Sequence, residues 1–265
     1  MLPVVVQERF DALLASGALP LPLLPEVAAQ VLAMVERPDC DARRLAELFR
    51  RDPAMTAHVM QLAGSPIYAS ATKVASLPQA IGRLGFQAIV QIALVVASKA
   101  RVFRVAGFEA EVKAAFRHAL ATALFAQEIA RVRRSSVDSA FLAGLFHDFG
   151  EPVLLQALVD LVRDAAVAVE PASMLAAVCA AHATAGAKLV ETWGMPPKVA
   201  EAVRLHHASD GCELATVVAL ADWFSCGMVE PAPTVLAARL NLYPDDVAAI
   251  ARRADDIAQT VQVVA

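Results

Sequence analysis

The chain has 265 residues, enough for one large domain or two small ones around an ample core. Apolar residues make up 58% and charged residues 19%, which excludes a disordered chain, and a net charge of −4 without a long basic run argues against direct nucleic-acid binding. Aromatics are only 6% and much of the apolar share is alanine, so helix is favoured over strand.

Met1 to Asp11 lack a basic n-region and carry Glu8, Arg9 and Asp11, which does not read as a secretory signal. Gly17 is expected to end the first helix, and Pro20, Pro22 and Pro25 to stiffen the approach to the second. Val27, Val31 and Met34 have helical spacing, as do Met55, Val59 and Leu62. Asp52-Pro53 has the form of an N-cap followed by proline at the first helical position. The longest apolar run, Ala88 to Ser98, is interrupted by Gln91 and flanked by Lys99 and Arg101. It is too short to span a bilayer and reads as a buried helix, so no membrane association is expected.

Gly107, Gly150, Gly194 with Pro196 and Pro197, and Gly211 punctuate the second half, and Asp210-Gly211 reads as a turn. Arg131, Arg133 and Arg134 read as a solvated helix C-terminus. Val247, Ile250, Ala254, Ile257 and Val261 carry helical periodicity toward the end. Cys40, Cys179, Cys212 and Cys226 form no C-x-x-C pair and read as free thiols of a reducing, cytoplasmic compartment, acting as small buried hydrophobes. The expected fold is all-α: a compact multi-helix protein with a dozen or so helices and no strand. A helical half over 1–107 is followed by a second over 108–228, and an extension over 229–265 either caps the core or forms a homodimer surface.

Polar residues on apolar helical faces are the main functional signal. His118 shares a stripe with Thr122, Phe125 and Ile129, and His147-Asp148 ends a helix carrying Phe141, Leu142 and Leu145. His182 follows Val178, His206 and His207 follow Val199 and Val203, and Asp222 follows Leu214 and Val218. Buried carboxylates are costly unless paired, and a divalent cation held by imidazole and carboxylate removes that cost. Each histidine alone reads as a hydrogen-bonded core residue; the set together reads as one shared polar site. His58 stands outside the pattern and reads as structural.

The same residues, in order, resemble the HD superfamily of metal-dependent phosphohydrolases. Leu21-Pro22-Leu23-Leu24-Pro25, Arg51-Asp52-Pro53 with Leu62 to Tyr68, Ser76 to Ile81 with Leu84-Gly85, and above all Phe141 to Gly150 are similar to the motifs of its HDOD branch. The resemblance covers about Leu19 to Asp222 and makes 108–228 the HD-like half. It implies a first divalent metal on His118, His147, Asp148 and Asp222. His182, His206 and His207 would hold a second metal or orient substrate, and Asp148 would bridge and position water. Iron, manganese, zinc and magnesium all suit such ligands.

There are departures from the family. Gly64 stands where its pattern has Asn. Glu151 stands where the related HD-GYP phosphodiesterases have lysine, and a carboxylate there would repel phosphate or compete as a ligand. The Gly-Tyr-Pro signature is missing after His206-His207. Arg117, Lys188 and Arg204 lie near the motifs but read as exposed helix residues. The resemblance therefore implies a bacterial signal-transduction module that acts through a partner protein, takes its input from another chain or a ligand, and is non-catalytic with a residual metal site. The alternative is a metal-dependent phosphohydrolase with Asp148 catalytic, acting on a nucleotide or cyclic dinucleotide. A scaffold with no ligand is a third reading.

Overall fold

A computed structural model describes residues 1–24, 26–35, 37, 39–65, 67–68, 74–97, 105–208, 211–228 and 233–264. The sequence readings at Pro25, Pro66, Ser98, Lys99, Arg101, Ser209 and Asp210 lie outside these residues. Among the described residues there are fourteen helices and no strand, so the fold is all-α. The helices are α1 (Val4–Ser16), α2 (Glu26–Val35), α3 (Ala42–Phe49), α4 (Pro53–Ala63), α5 (Leu77–Ala97), α6 (Glu109–Val132) and α7 (Val137–Phe146). They continue with α8 (Gly150–Ala165), α9 (Pro171–Thr192), α10 (Pro197–Leu205), α11 (Glu213–Ser225), α12 (Thr234–Arg239), α13 (Pro244–Ala251) and α14 (Ala254–Val264).

Local chemistry sets many of the ends. Gly17 closes α1 in the left-handed region, and Asp52 Oδ1 accepts from the Met55 amide at 3.1 Å to start α4. The apolar run inside α5 is buried, with a bend at Gly85 (φ 79°) before it. The C-terminal periodicity corresponds to two helices. Arg252 closes α13, and α14 restarts with Asp255 and Asp256 in its first turn, where Arg253 Nη1 reaches Asp256 Oδ2 at 2.8 Å. The arginines after α6 are not uniformly solvated. Arg133 donates to Leu240 O at 2.7 Å and pairs with Glu213, and its side chain is 13% exposed.

The chain forms two compact units, and both are discontinuous. The first comprises Met1–Leu23 and Phe103–Leu242, the second Leu24–Val102 and Tyr243–Ala265. This partition differs from three successive segments, because packing partners are far apart in sequence. In the first unit α1 packs on α8, placing Leu2, Val6 and Phe10 in a core with Leu154, Leu158 and Met174. There α6 pairs with α7 and α11, and α9 with α8 and α10. In the second unit α2, α3 and α4 pack on α5, and α14 packs on α4. Of the described helices, α9 is long and apolar enough in composition to cross a bilayer, and it is spent on packing against α8 and α10.

Candidate metal centre

All seven histidine and aspartate residues singled out in the sequence lie in the first unit, on five helices or at their ends. His118 projects from α6, His182 from α9 and Asp222 from α11. His147 and His206 are the C-caps of α7 and α10, so Asp148 and His207 follow just beyond each helix end. Successive side chains converge there because the helix has stopped. Gly150 was expected to supply that break, but its role is spatial. It opens α8 without a left-handed φ, and a Cβ on it would stand 1.9 Å from His182 O. Gly144 does the same between α7 and α6, where a Cβ would meet Ala123 Cα at 2.8 Å. These two approaches bring His147-Asp148 against His182 on one side and His118 on the other.

Asp148 is the hub. Its Oδ2 lies 3.0 Å from His147 Nε2 and 3.6 Å from His118 Nε2. Its Oδ1 lies 3.2 Å from His182 Nε2 and 3.5 Å from His206 Nε2. The two oxygens therefore face two different pairs of imidazoles. Asp222 Oδ1 is 3.1 Å from His118 Nε2, on the Oδ2 side. His182 Nε2 is 3.3 Å from His206 Nε2 and 3.1 Å from His207 Nε2. His147, His182 and His206 are buried, Asp148 and Asp222 are half-buried, and His207 is exposed.

Second partners fix the tautomers. Nδ1 of His147, His182 and His206 each donates to the carbonyl three residues earlier, at 2.7 Å to Gly144, Cys179 and Val203. A carbonyl only accepts, so Nδ1 carries the proton and a neutral ring presents its Nε2 lone pair to the cluster. His118 follows the same logic. Ser225 Oγ gives its proton to Asp222 O at 2.8 Å, leaving it to accept from His118 Nδ1 at 3.1 Å and from Thr122 Oγ1 at 2.9 Å. Lone pairs thus face carboxylate oxygens and one another at about hydrogen-bond distance. His147 Nε2 is fully buried and has no aligned hydrogen-bond partner, although Asp148 Oδ2 is close by. Such an arrangement needs protons or cations between the donors, and imidazole nitrogens with second-sphere carbonyls are what divalent cations use. The residues present fit a metal.

The carboxylates and imidazoles also shift one another's titration. Burial would raise the Asp148 carboxyl, but the imidazoles of His147, His182 and His206 outweigh it and hold it far below the usual range. Burial is likewise overridden at Asp222, by His118 and His147. Burial lowers His147 and His182, yet the charge of Asp148 raises both overall. His207 is lowered by burial and by His206 and His182. Glu151, half-buried on the first turn of α8, is raised by burial and by Asp148.

Three polar residues beside the cluster were not assigned to it from sequence. Ser225 orients His118, Cys226 Sγ lies 3.5 Å from Asp222 Oδ1, and Cys179 stands within ligand reach of Glu151 and His182. Each is three or four residues from a candidate ligand, and that helical spacing was the available signal. The reading of all four cysteines as buried hydrophobes holds for Cys212 only. Cys179 and Cys226 are exposed and Cys40 is half-buried, because small thiols at helix ends and outer faces have nothing to cover them. Arg117 and Lys188 are exposed, and Arg204 pairs with Glu191 at 2.6 Å. His58 lies half-buried on α4, in the second unit.

The sequence model of the HDOD domain matches residues 21–209. An uncharacterized protein of Treponema pallidum (strain Nichols) is 25% identical over 195 residues, which are 71% of this chain and 37% of that protein. The chain thus spans little more than a third of that relative. A proposed metal-dependent phosphohydrolase from Shewanella amazonensis SB2B superimposes with a TM-score of 0.76 at 21% identity, covering 99% of this chain and 98% of the other. A proposed signal transduction protein from Marinobacter aquaeolei VT8 gives 0.64 at 24% identity, with 98% and 66% covered. At these identities the likeness is one of fold.

Proposed function

The chain belongs to the HDOD domain family, and from that premise we propose that it is a bacterial, cytoplasmic signal-transduction module built around a two-cation metal centre and acting through a partner protein. The division of the Asp148 oxygens between two sets of imidazoles carries this reading. A carboxylate so placed would help hold one cation with His118, His147 and Asp222 and another with His182, His206 and His207. Iron, manganese and zinc suit the nitrogen-rich set better than magnesium. The metals would tie five helices to one point, so that metal or ligand occupancy changes the stability of the surface offered to a partner.

The regulatory role is favoured over catalysis by what surrounds the centre. Glu151 occupies the place of a phosphate-holding lysine, Arg117 and Lys188 point to solvent, and Arg204 is engaged with Glu191. The second reading, a phosphohydrolase acting on a nucleotide or cyclic dinucleotide, is supported by the nearly complete ligand series. In it the bound cations would supply an activated water at neutral pH. Asp148 would orient that water, while His206 and His207 would face the substrate.

The first experiment is elemental analysis of protein purified without chelator or affinity-tag metal. About two equivalents of transition metal per chain are expected, with a large loss in His147→Ala. Absence of metal, together with no rise in Tm on adding iron, manganese, zinc or magnesium, would sink the metal centre. Turnover of a cyclic dinucleotide by the metal-loaded chain, abolished by His147→Ala in a folded protein, would replace the non-catalytic reading with the hydrolase.

A further inference from the structure

Beyond the imidazoles and carboxylates, a thiol stands on the His118 and Asp222 side of the centre. Cys226 follows α11 directly, four residues after Asp222. Its Sγ lies 3.5 Å from Asp222 Oδ1, which is itself 3.1 Å from His118 Nε2. The sulfur, a nitrogen of His118 and an oxygen of Asp222 all lie within 4.8 Å of one another. Bonds of about 2.0–2.3 Å from one ion can reach donors at the two measured separations, 3.5 and 3.1 Å. A second, independent observation points into the same space. His147 Nε2 is fully buried with no aligned hydrogen-bond partner, Asp148 Oδ2 lying 3.0 Å away, and its ring stands 5.2 Å from that of His118, centroid to centroid. Because Cys226 is exposed, a hydrated cation can reach it from solvent.

We propose that Cys226 is a ligand of the cation held by His118 and Asp222, and that its sulfur makes this half of the centre select a thiophilic ion of the zinc class over magnesium. The inference rests on the metal-centre reading above and deepens it. On binding, the Cys226 S–H bond breaks, its proton leaves to solvent, and the thiolate electron pair forms the bond to the cation. No redox change is involved. Sulfur is a soft donor, so a site that pairs thiolate with imidazole discriminates against oxygen-seeking cations.

The test uses cobalt(II) alone as the probe on the purified full chain. Wild type is expected to show visible d–d bands and a strong near-ultraviolet sulfur-to-cobalt charge-transfer band. Cys226→Ser should lose the charge-transfer band and keep the d–d bands, while Cys40→Ser keeps both. Zinc affinity, read by competition with a chromophoric chelator, should fall at least about tenfold in Cys226→Ser. In wild type, zinc should slow alkylation of Cys226 at least about tenfold by mass spectrometry, a readout that needs no variant. Cobalt bound without the charge-transfer band, or a band that survives Cys226→Ser or disappears only in Cys179→Ser, would overturn the assignment and leave the metal centre standing. An alkylation rate untouched by zinc would do the same. Failure to take up cobalt at all would overturn both.

Discussion

Gly150 and Gly144 do their work through the methyl group each lacks. With His182 O only 1.9 Å from where the Gly150 Cβ would be, Gly150→Ala must push α8 from α9 and carry His182 away from Asp148. Overpacking of this kind costs about 1–3 kcal/mol or more. A drop of that size in denaturant stability is expected, together with loss of bound metal. Unchanged stability would mean that the two helices do not approach so closely. Which residues cluster was legible from sequence, since all seven stood on apolar stripes or at helix ends. Their tautomers were not, because the Nδ1 partner of each imidazole is set by helix geometry and, for His118, by Ser225 on another helix. The nearness of Cys179 and Cys226 was missed for a related reason. A helical stripe says which side a residue is on, and says nothing of what waits across the gap.

At the level of elements, caps and periodicity were readable because they are local. Asp52 is an example: its carboxylate closes an otherwise unpaired amide at the start of α4. Asp52→Ala should cost about 1 kcal/mol, measured by chemical denaturation, and Asp52→Asn should recover most of it. A cost no larger than that of an ordinary surface substitution would contradict the cap. Where periodicity outran the helix, as at Val247 to Val261, charge placement explains the break. Arg252 and Arg253 suit a helix end, while Asp255 and Asp256 suit a helix start. Arg133 shows the opposite limit. It looked solvated because its partners, Leu240 O and Glu213, lie 80 or more positions along the chain.

The whole molecule is divided against its own sequence, with α1 serving the unit that holds the histidine and aspartate cluster and α13 and α14 serving the other. Deleting residues 1–18 would strip Leu2, Val6 and Phe10 from the core they share with α8 and α9. At about 1.5–3 kcal/mol for each buried side chain, the loss approaches the entire stability of a typical domain. The expected result is a low, broad thermal transition and little retained metal. A truncated chain that unfolds cooperatively with full metal content would disprove the dependence. From the sequence alone came the helical class, many of the helix ends, the family resemblance and the clustered histidine and aspartate residues, because each is written in residue type and short-range spacing. Only the tertiary structure decided that Asp148 divides its oxygens between two groups of imidazoles, that exposed thiols stand beside them, and that both compact units are assembled from separated segments. Those depend on how closely helices distant in the chain approach, which is fixed by the absence of a side chain at a few contacts and by burial summed over the whole core.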